Sequence, residues 1–291
     1  MKPYYSDNRG RYATGESYDW FYKFEDEEDY QIFTSLDGLW TYDIVEDGIE
    51  LLRYNGNEIH IHVPEMVDNK KVVSLDSTFD GFYELKSAVI PEGVVSIIGA
   101  FYGCEGLEEV TLPEGVKDLT YAFNSCFSLK YIKIPNSVED FSQAFGGTAI
   151  EHFEFPQGTK IIDSCFSGSE YLRSVVVPKT VISCDEAFAD CEVLERVELE
   201  DGICELSDYA FFHCPALKEL KIPESVKKLG KMAVGIMEDR EYDKTHMAFK
   251  IKGHNIVSFF QIIGAQGSQA EQYAKINKIS FVNESKEIKL Y

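Results

Sequence analysis

Six histidines and seven cysteines are the side chains best able to do chemistry, and their spacing decides what chemistry that is. His60 and His62 alternate, which on a strand places both imidazoles on one face. Two imidazoles make an incomplete metal site, because zinc takes three or four ligands. His152, Ser174 and Glu154 can be drawn as a Ser/His/acid triad. Their register places them on an exposed sheet without an oxyanion pocket, which does not support acyl transfer. Cys104, Cys126, Cys191 and Cys214 share one register, and Cys165 and Cys184 fill apolar slots. There is no Cys-x-x-Cys pair, and an odd count argues against a full disulfide framework. Free cysteine behaves as a small buried hydrophobe, so the row reads as reduced core thiols, which suits a reducing compartment or an anaerobic setting. Phosphate loops, dinucleotide fingerprints, Gly-x-Ser-x-Gly and His-Glu-x-x-His are all missing from the sequence. No catalytic, cofactor-binding or metal-ligating residue is assigned, and the chain is not expected to be an enzyme.

The cysteine register belongs to a longer phrase. One copy runs Leu112-Pro113, Val116, Leu119, Ala122-Phe123, Cys126, Leu129. Prolines recur at 64, 91, 113, 135, 156, 178 and 223, with Glu200 standing in once. The phenylalanines fall at 79, 101, 123, 145, 166, 188 and 211. A fixed period of about 22 residues marks a solenoid in which each repeat packs on its neighbours. The first step, Pro64 to Pro91, is 27 residues and carries an insertion near Asn69-Lys70-Lys71; the step from Pro135 to Pro156 is short because a residue is missing between Phe145 and Ile150, and the step from Glu200 to Pro223 is long by one. The six residues from each Leu, as in Leu107–Leu112 and Leu129–Ile134, end in the period-two alternation of a strand. Proline after the strand removes an N–H and ends the ladder. Stacked phenylalanines are expected to form an aromatic spine inside.

The phrase Ile-Pro-x-x-Val-x-x-Ile…Ala-Phe-x-x-Cys-x-x-Leu resembles the BspA-like leucine-rich repeat family. Residues Tyr42–Gly56 are similar to that family's opening hairpin, and Gly267–Lys275 with Ile279–Phe281 to its closing helix and strand. The resemblance implies a repeat solenoid (α/β, mostly β): a right-handed leucine-rich-repeat coil with a parallel sheet on one face and a cap at each end. It also implies a role in adhesion or in recognising a host or partner protein; the alternatives are a structural spacer module lacking its own ligand and an enzyme of unrecognised type. The expected organisation is an acidic, aromatic extension over 1–40, a hairpin cap leading into the first repeat over 41–75, seven repeats over 76–230, and a C-terminal cap over 231–291. In that cap Ser268 and Glu271 read as a capping box, and Met237–Lys244 as a loop or surface helix.

Charge is the second signal. The formal net charge is −22. Residues 41–225 carry 13 basic and 34 acidic side chains, whereas 226–291 carry 11 and 7. An acidic body repels nucleic acid, whose binding needs Lys/Arg clusters. It suits a basic protein partner, or it serves solubility. No stretch reaches the roughly 20 apolar residues of a membrane span. The first residues lack the apolar core of a secretory signal, so the chain as given is expected in the cytoplasm, with the cell surface or secretion as the alternative for a processed or truncated form. A monomer without cofactors is expected.

Two regions stand out for partner binding. On the solvent face of the sheet, one outward row reads Ser87, Glu109, Tyr131, His152, Ser174, Arg196, Glu219, and a second reads Val89, Thr111, Lys133, Glu154, Val176, Glu198, Lys221. The mix of aromatic, apolar and charged groups at Glu109, Tyr131, Lys133, His152, Glu154, Val176 and Arg196 favours contacts. Lys133 is expected to meet Glu154, and Arg196 to meet Glu198 or Glu219. The plainer reading is an ordinary exposed sheet with cross-strand charge pairs. The other region is the extension, where Trp20, Phe21 and Tyr22 are too apolar for a simple disordered tail.

Overall fold

The structure, a computed structural model, describes residues 31–243 and 248–284. Trp20, Phe21 and Tyr22 therefore lie outside the described residues. Strands β1 (Phe33–Thr34), β2 (Trp40–Val45) and β3 (Gly48–Tyr54) form an antiparallel meander that begins ahead of residue 41. β4 (His60–His62) starts the solenoid sheet; β5 (Met66–Val67) and β6 (Lys70–Ser74) return to the meander, with β6 parallel to β3. Trp40 closes the open end of the core, its ring 6.2 Å from Phe79 and edge-on to it.

All but one of the repeats then add a short parallel strand on this face. β4 pairs with β7 (Ser87–Val89), and β7 with β8 (Glu109–Thr111). β9 (His152–Glu154), β10 (Ser174–Val177) and β11 (Arg196–Leu199) form a second block. β12 (Glu205–Leu206), β13 (Glu219–Lys221) and β14 (Lys228–Leu229) follow, with β12 and β14 paired on their own.

The phenylalanine register stacks as the sequence leads one to expect. Rings 79, 101, 123, 145, 166, 188 and 211 follow one another at 5.3, 5.5, 5.7, 5.2, 6.2 and 5.0 Å, with no tilt above 25°. The backbone holds this spine in line. Each Phe N–H donates to the carbonyl of the Ala-type residue one repeat on, as in Phe101 to Ala122 at 3.0 Å and Phe123 to Ala144 at 3.1 Å. To turn so tightly, the residues two before and two after each Phe adopt left-handed φ, from Ser77 and Gly81 to Tyr209 and His213. Glycine fills four of the seven later positions, where a Cβ is costly.

The cysteines have a specific reason to be there. The Cys104, Cys126, Cys191 and Cys214 thiols each donate to the carbonyl of the Phe in the preceding repeat, at 3.1 to 3.2 Å. A small apolar side chain with one weak donor fits that slot. Thr148 takes it in the short repeat and donates to Phe145 O at 2.9 Å, whereas the Ser169 hydroxyl in the next repeat finds no partner. Thr159 stands where the other repeats carry mostly valine, and its hydroxyl is also buried without a partner. Replacing an unpaired buried hydroxyl by an isosteric methyl removes a desolvation penalty. Thr159→Val is therefore expected to raise stability by about 1 kcal/mol, read as a higher urea midpoint at unchanged m-value.

The sheet departs from the sequence expectation in two places. Residues Tyr131–Lys133, expected as a strand, pair with neither β8 nor β9. The 21-residue step follows this rung, and the short repeat packs larger rings than its neighbours. Phe141, Phe153 and Phe155 stand where other repeats carry mostly aliphatic side chains, with Phe153 and Phe155 4.7 Å apart. More ring volume and one residue fewer shift the rung out of hydrogen-bonding register. A second gap, between β11 and β13, coincides with the 23-residue step. On the far side of the coil, bridges from Asp118 through Asp140 and Ile161 to Ser183 cross the short repeat unbroken.

At the C-terminal end, β13 is joined by β17 (Gln261–Gly264) and β18 (Ser280–Asn283), both parallel. The strands before them, β15 (Ile236–Asp243) and β16 (Ala248–Ile256), pair with each other. Met237–Asp243 is thus strand and not a loop or helix, because pairing satisfies its backbone despite its charge. Glu238–Asn255 belongs to a unit separate from that of 32–237 and 256 onward. Helix α1 (Gln269–Asn277) covers the last repeat. Ser268 Oγ accepts from Glu271 N–H at 3.4 Å, the N-cap half of the expected box, and the Glu271 carboxylate reaches back to Gly267 N–H, one residue before the N-cap. The Tyr273 hydroxyl exchanges hydrogen bonds with Val234 N–H and C=O, both at 3.2 Å, at the end of the spine. Phe259 is 94% exposed with φ 62°, while its neighbours Val257 and Phe260 are buried.

Candidate protein-binding face

Strand alternation decides which side chains leave the core. In each rung the second residue after the Leu and the fourth point outward, while the third and fifth are mostly buried. Glu109, Tyr131, Lys133, His152, Glu154 and Arg196 are all exposed on this face, and Val176 is half-buried there. Tyr131 is the most open aromatic of the group, at 74%. It sits on the rung that left the ladder. Phe127, four residues earlier, and Tyr171 are half-exposed on the turns that lead into the sheet.

Contacts on the face run across rungs. His152 Nδ1 lies 2.7 Å from Ser174 Oγ, and His60 Nδ1 lies 2.9 Å from Ser87 Oγ. Gln261 Nε2 donates to Glu219 at 2.9 Å. The His152–Ser174 half of the paper triad is thus real, but the same contact occurs twice at equivalent sheet positions. It reads as a cross-strand pair in solvent and not as a catalytic constellation. A recess of about 420 Å³ opens at the hairpin, lined by Val45, Glu46, Asp47, Lys71, Val73, Gly93 and Val95. Among the described residues no group of three or more His, Cys, Asp or Glu side chains is placed to hold a metal.

The expected ion pairs fall in a different column. Among the described residues Lys133 does not bridge to Glu154, nor Arg196 to Glu198 or Glu219. Charge pairs form instead one residue after the Leu, along the border of the face, Lys86 with Glu108 at 2.8 Å and Arg173 with Glu195 at 3.0 Å and Glu151 at 4.0 Å, while Lys221 of the second outward column pairs with Glu284 at 3.1 Å. Read down the repeats, this column is Lys86, Glu108, Lys130, Glu151, Arg173, Glu195, Lys218. The sign alternates without exception. The signal was present in the sequence as Leu-Lys, Leu-Glu, Leu-Lys, Ile-Glu, Leu-Arg, Leu-Glu, Leu-Lys, but it lies outside the strict outward alternation and so escapes a period-two reading. Lys86 holds the Glu108 carboxyl below its ordinary range, by hydrogen bond and charge.

The remaining surface is acidic. Asp163, Asp185 and Asp208 follow one another three residues before Phe166, Phe188 and Phe211. Partial burial raises the Asp185 carboxyl, and repulsion from Asp163 and Asp208 adds to it.

The family model for the BspA type leucine-rich repeat region matches in six copies, over residues 75–186 and 159–236. The chain belongs to the BspA-type leucine-rich-repeat family. Among solved structures, a leucine-rich repeat protein from Bacteroides ovatus is 22% identical, with 83% of this chain and 71% of that chain covered and a TM-score of 0.54. The leucine-rich repeat protein of T. pallidum is 27% identical, with 68% and 86% covered and a TM-score of 0.47. A comparison with curated proteins finds no match. BspA-type membership fits the repeated phrase over the matched residues. Among the described residues, no helix is long and apolar enough to cross a membrane.

Proposed function

We propose that this chain is a non-catalytic scaffold that binds another protein through its sheet face, centred on Tyr131 and His152. The observation that carries this reading is the exposure of Tyr131 on a rung released from the ladder, beside Lys133, His152, Glu154 and the half-buried Val176. An aromatic ring with apolar and polar neighbours is the composition that contact surfaces favour. Within the border column Lys86 pairs with Glu108 and Arg173 with Glu195, which orders the edge of the face. Adhesion, or recognition of a host protein, is the physiological setting this reading fits.

The test is affinity capture with the full chain and with Tyr131→Ala/His152→Ala/Val176→Glu, read by quantitative mass spectrometry. Specific prey should fall at least tenfold with the triple variant while its circular dichroism stays unchanged. Prey retained in full would move the site off this face, and no specific prey with either protein would favour a spacer module.

A further inference from the structure

The charge of the solenoid body is divided between two surfaces. Of the 13 basic and 34 acidic side chains in 41–225, seven and seven lie on the border column and the two outward columns. The sheet face is therefore neutral. The other six basic and 27 acidic side chains lie elsewhere on the body. A basic partner would be drawn to that remaining surface and not to the sheet. The sheet needs a partner that is itself neutral overall and matches its pattern.

The pattern is specific. In the border column the sign alternates at every rung from Lys86 to Lys218, and in the second outward column Lys133, Glu154, Glu198 and Lys221 carry the sign of their own rung. Two rungs make one period, about 9.6 Å at the usual strand spacing. A surface that alternates in this way is complementary to itself, provided the copies meet in the right register. A two-fold axis parallel to the strands reverses the rung order and keeps each column facing its own column. If that axis passes through a rung, like charges meet. If it passes between rungs, every basic border residue meets an acidic one.

Resting on the sheet-face reading above, we infer that the partner of this face is a second copy of the same chain, with the two-fold axis between the Tyr131 and His152 rungs. In that register Lys130 meets Glu151 of the second copy, Tyr131 meets His152, and Lys133 meets Glu154. One rung outward, Glu108 meets Arg173. No like-charged pair falls in the three columns over the six rungs from Lys86 to Glu198. The most exposed aromatic of the face lies at the centre, where a contact ring is best shielded from water. This replaces the monomer expected from the sequence.

The footprint is small, six rungs by three columns, so the dimer is a weak one, with a dissociation constant on the order of 10 to 100 µM. Salt gives it a signature. The two bodies carry like net charge and repel over long range, whereas the facing pairs act at contact. At about 10 mM salt the screening length is about 30 Å and repulsion wins; at about 150 mM it is about 8 Å and the contacts win. Association should therefore tighten as salt is raised across this range, the reverse of what a basic partner would show.

Sedimentation velocity on the full chain tests this, from about 1 to 300 µM and at both salt concentrations. Wild type should dimerise at the higher salt. Lys133→Glu and Glu154→Lys should each weaken the dimer at least tenfold, because each places like charges across the axis twice. Mixing the two variants should restore it, since each then faces its complement. A wild type that stays monomeric throughout overturns self-association and leaves the heterologous sheet-face reading to the capture experiment. A dimer untouched by either variant, or not restored by mixing, places the interface elsewhere and overturns the inference as well.

Discussion

Phe123→Ala is expected to cost about 3 to 5 kcal/mol, the range for emptying a large aromatic site in a closed core. Phe123 is fully buried, stacked 5.5 Å from Phe101 and 5.7 Å from Phe145, and fixed by backbone hydrogen bonds to the next repeat. Three properties keep the cavity from collapsing. The neighbouring rings are held by their own ladders, the left-handed turns on either side leave little backbone freedom, and Cys126 is tied to Phe101 O. In a solenoid, stability is close to a sum of repeat terms and nearest-neighbour terms, so the loss should centre on the repeats that contact residue 123. Hydrogen exchange should show protection falling most around Phe101, Phe123 and Phe145 and least near Tyr273. A loss below about 1 kcal/mol would mean that the rings do not form a continuous spine.

Alkaline pH should unfold the protein through its thiols. Burial pushes the Cys104 thiol up to about 12, and it raises Cys126, Cys165, Cys184, Cys191 and Cys214 as well. In the unfolded chain a thiol ionises near 8.5. The folded value lies above the unfolded one, so the stabilising contribution is fully present below about pH 8.5 and is lost as pH climbs toward the folded value. Each such thiol then costs about 1.4 kcal/mol per pH unit, and Cys104 alone costs about 2 kcal/mol by pH 10. With six thiols shifted the same way, the fall in stability above pH 9 should be steep. Unfolding midpoints of wild type and Cys104→Ala, followed from pH 7 to 11, check this: the variant should start less stable and lose stability more slowly. At pH 8 only Cys204, the one exposed cysteine, should react quickly with a thiol reagent.

Much of the fold was legible because the chain repeats itself. A proline, a phenylalanine and a leucine returning every 22 residues leave few ways to coil, and the spine, the core thiols and the N-cap at Ser268 all follow from local rules. What escaped the sequence depends on how repeats of unequal length meet. The missing residue after Phe145 was visible, but its effect, the loss of Tyr131–Lys133 from the ladder, arises from packing Phe141, Phe153 and Phe155 into a shortened turn. The charged strand β15 was misread because its partner, and not its composition, makes it a strand. On the face itself, position was readable and pairing was not. Period-two logic placed Tyr131, His152 and Glu154 outward, yet the Lys86 and Arg173 ion pairs formed one residue earlier, where the chain bends from core to sheet and two consecutive side chains reach the same border.

The most direct measurement is site-specific photocrosslinking of the full chain with a benzophenone side chain at Tyr131 and, as a control, at Lys117, an exposed position outside the sheet. Partner adducts should form from position 131 and not from 117. Adducts from 117 with none from 131 would contradict a sheet-face site.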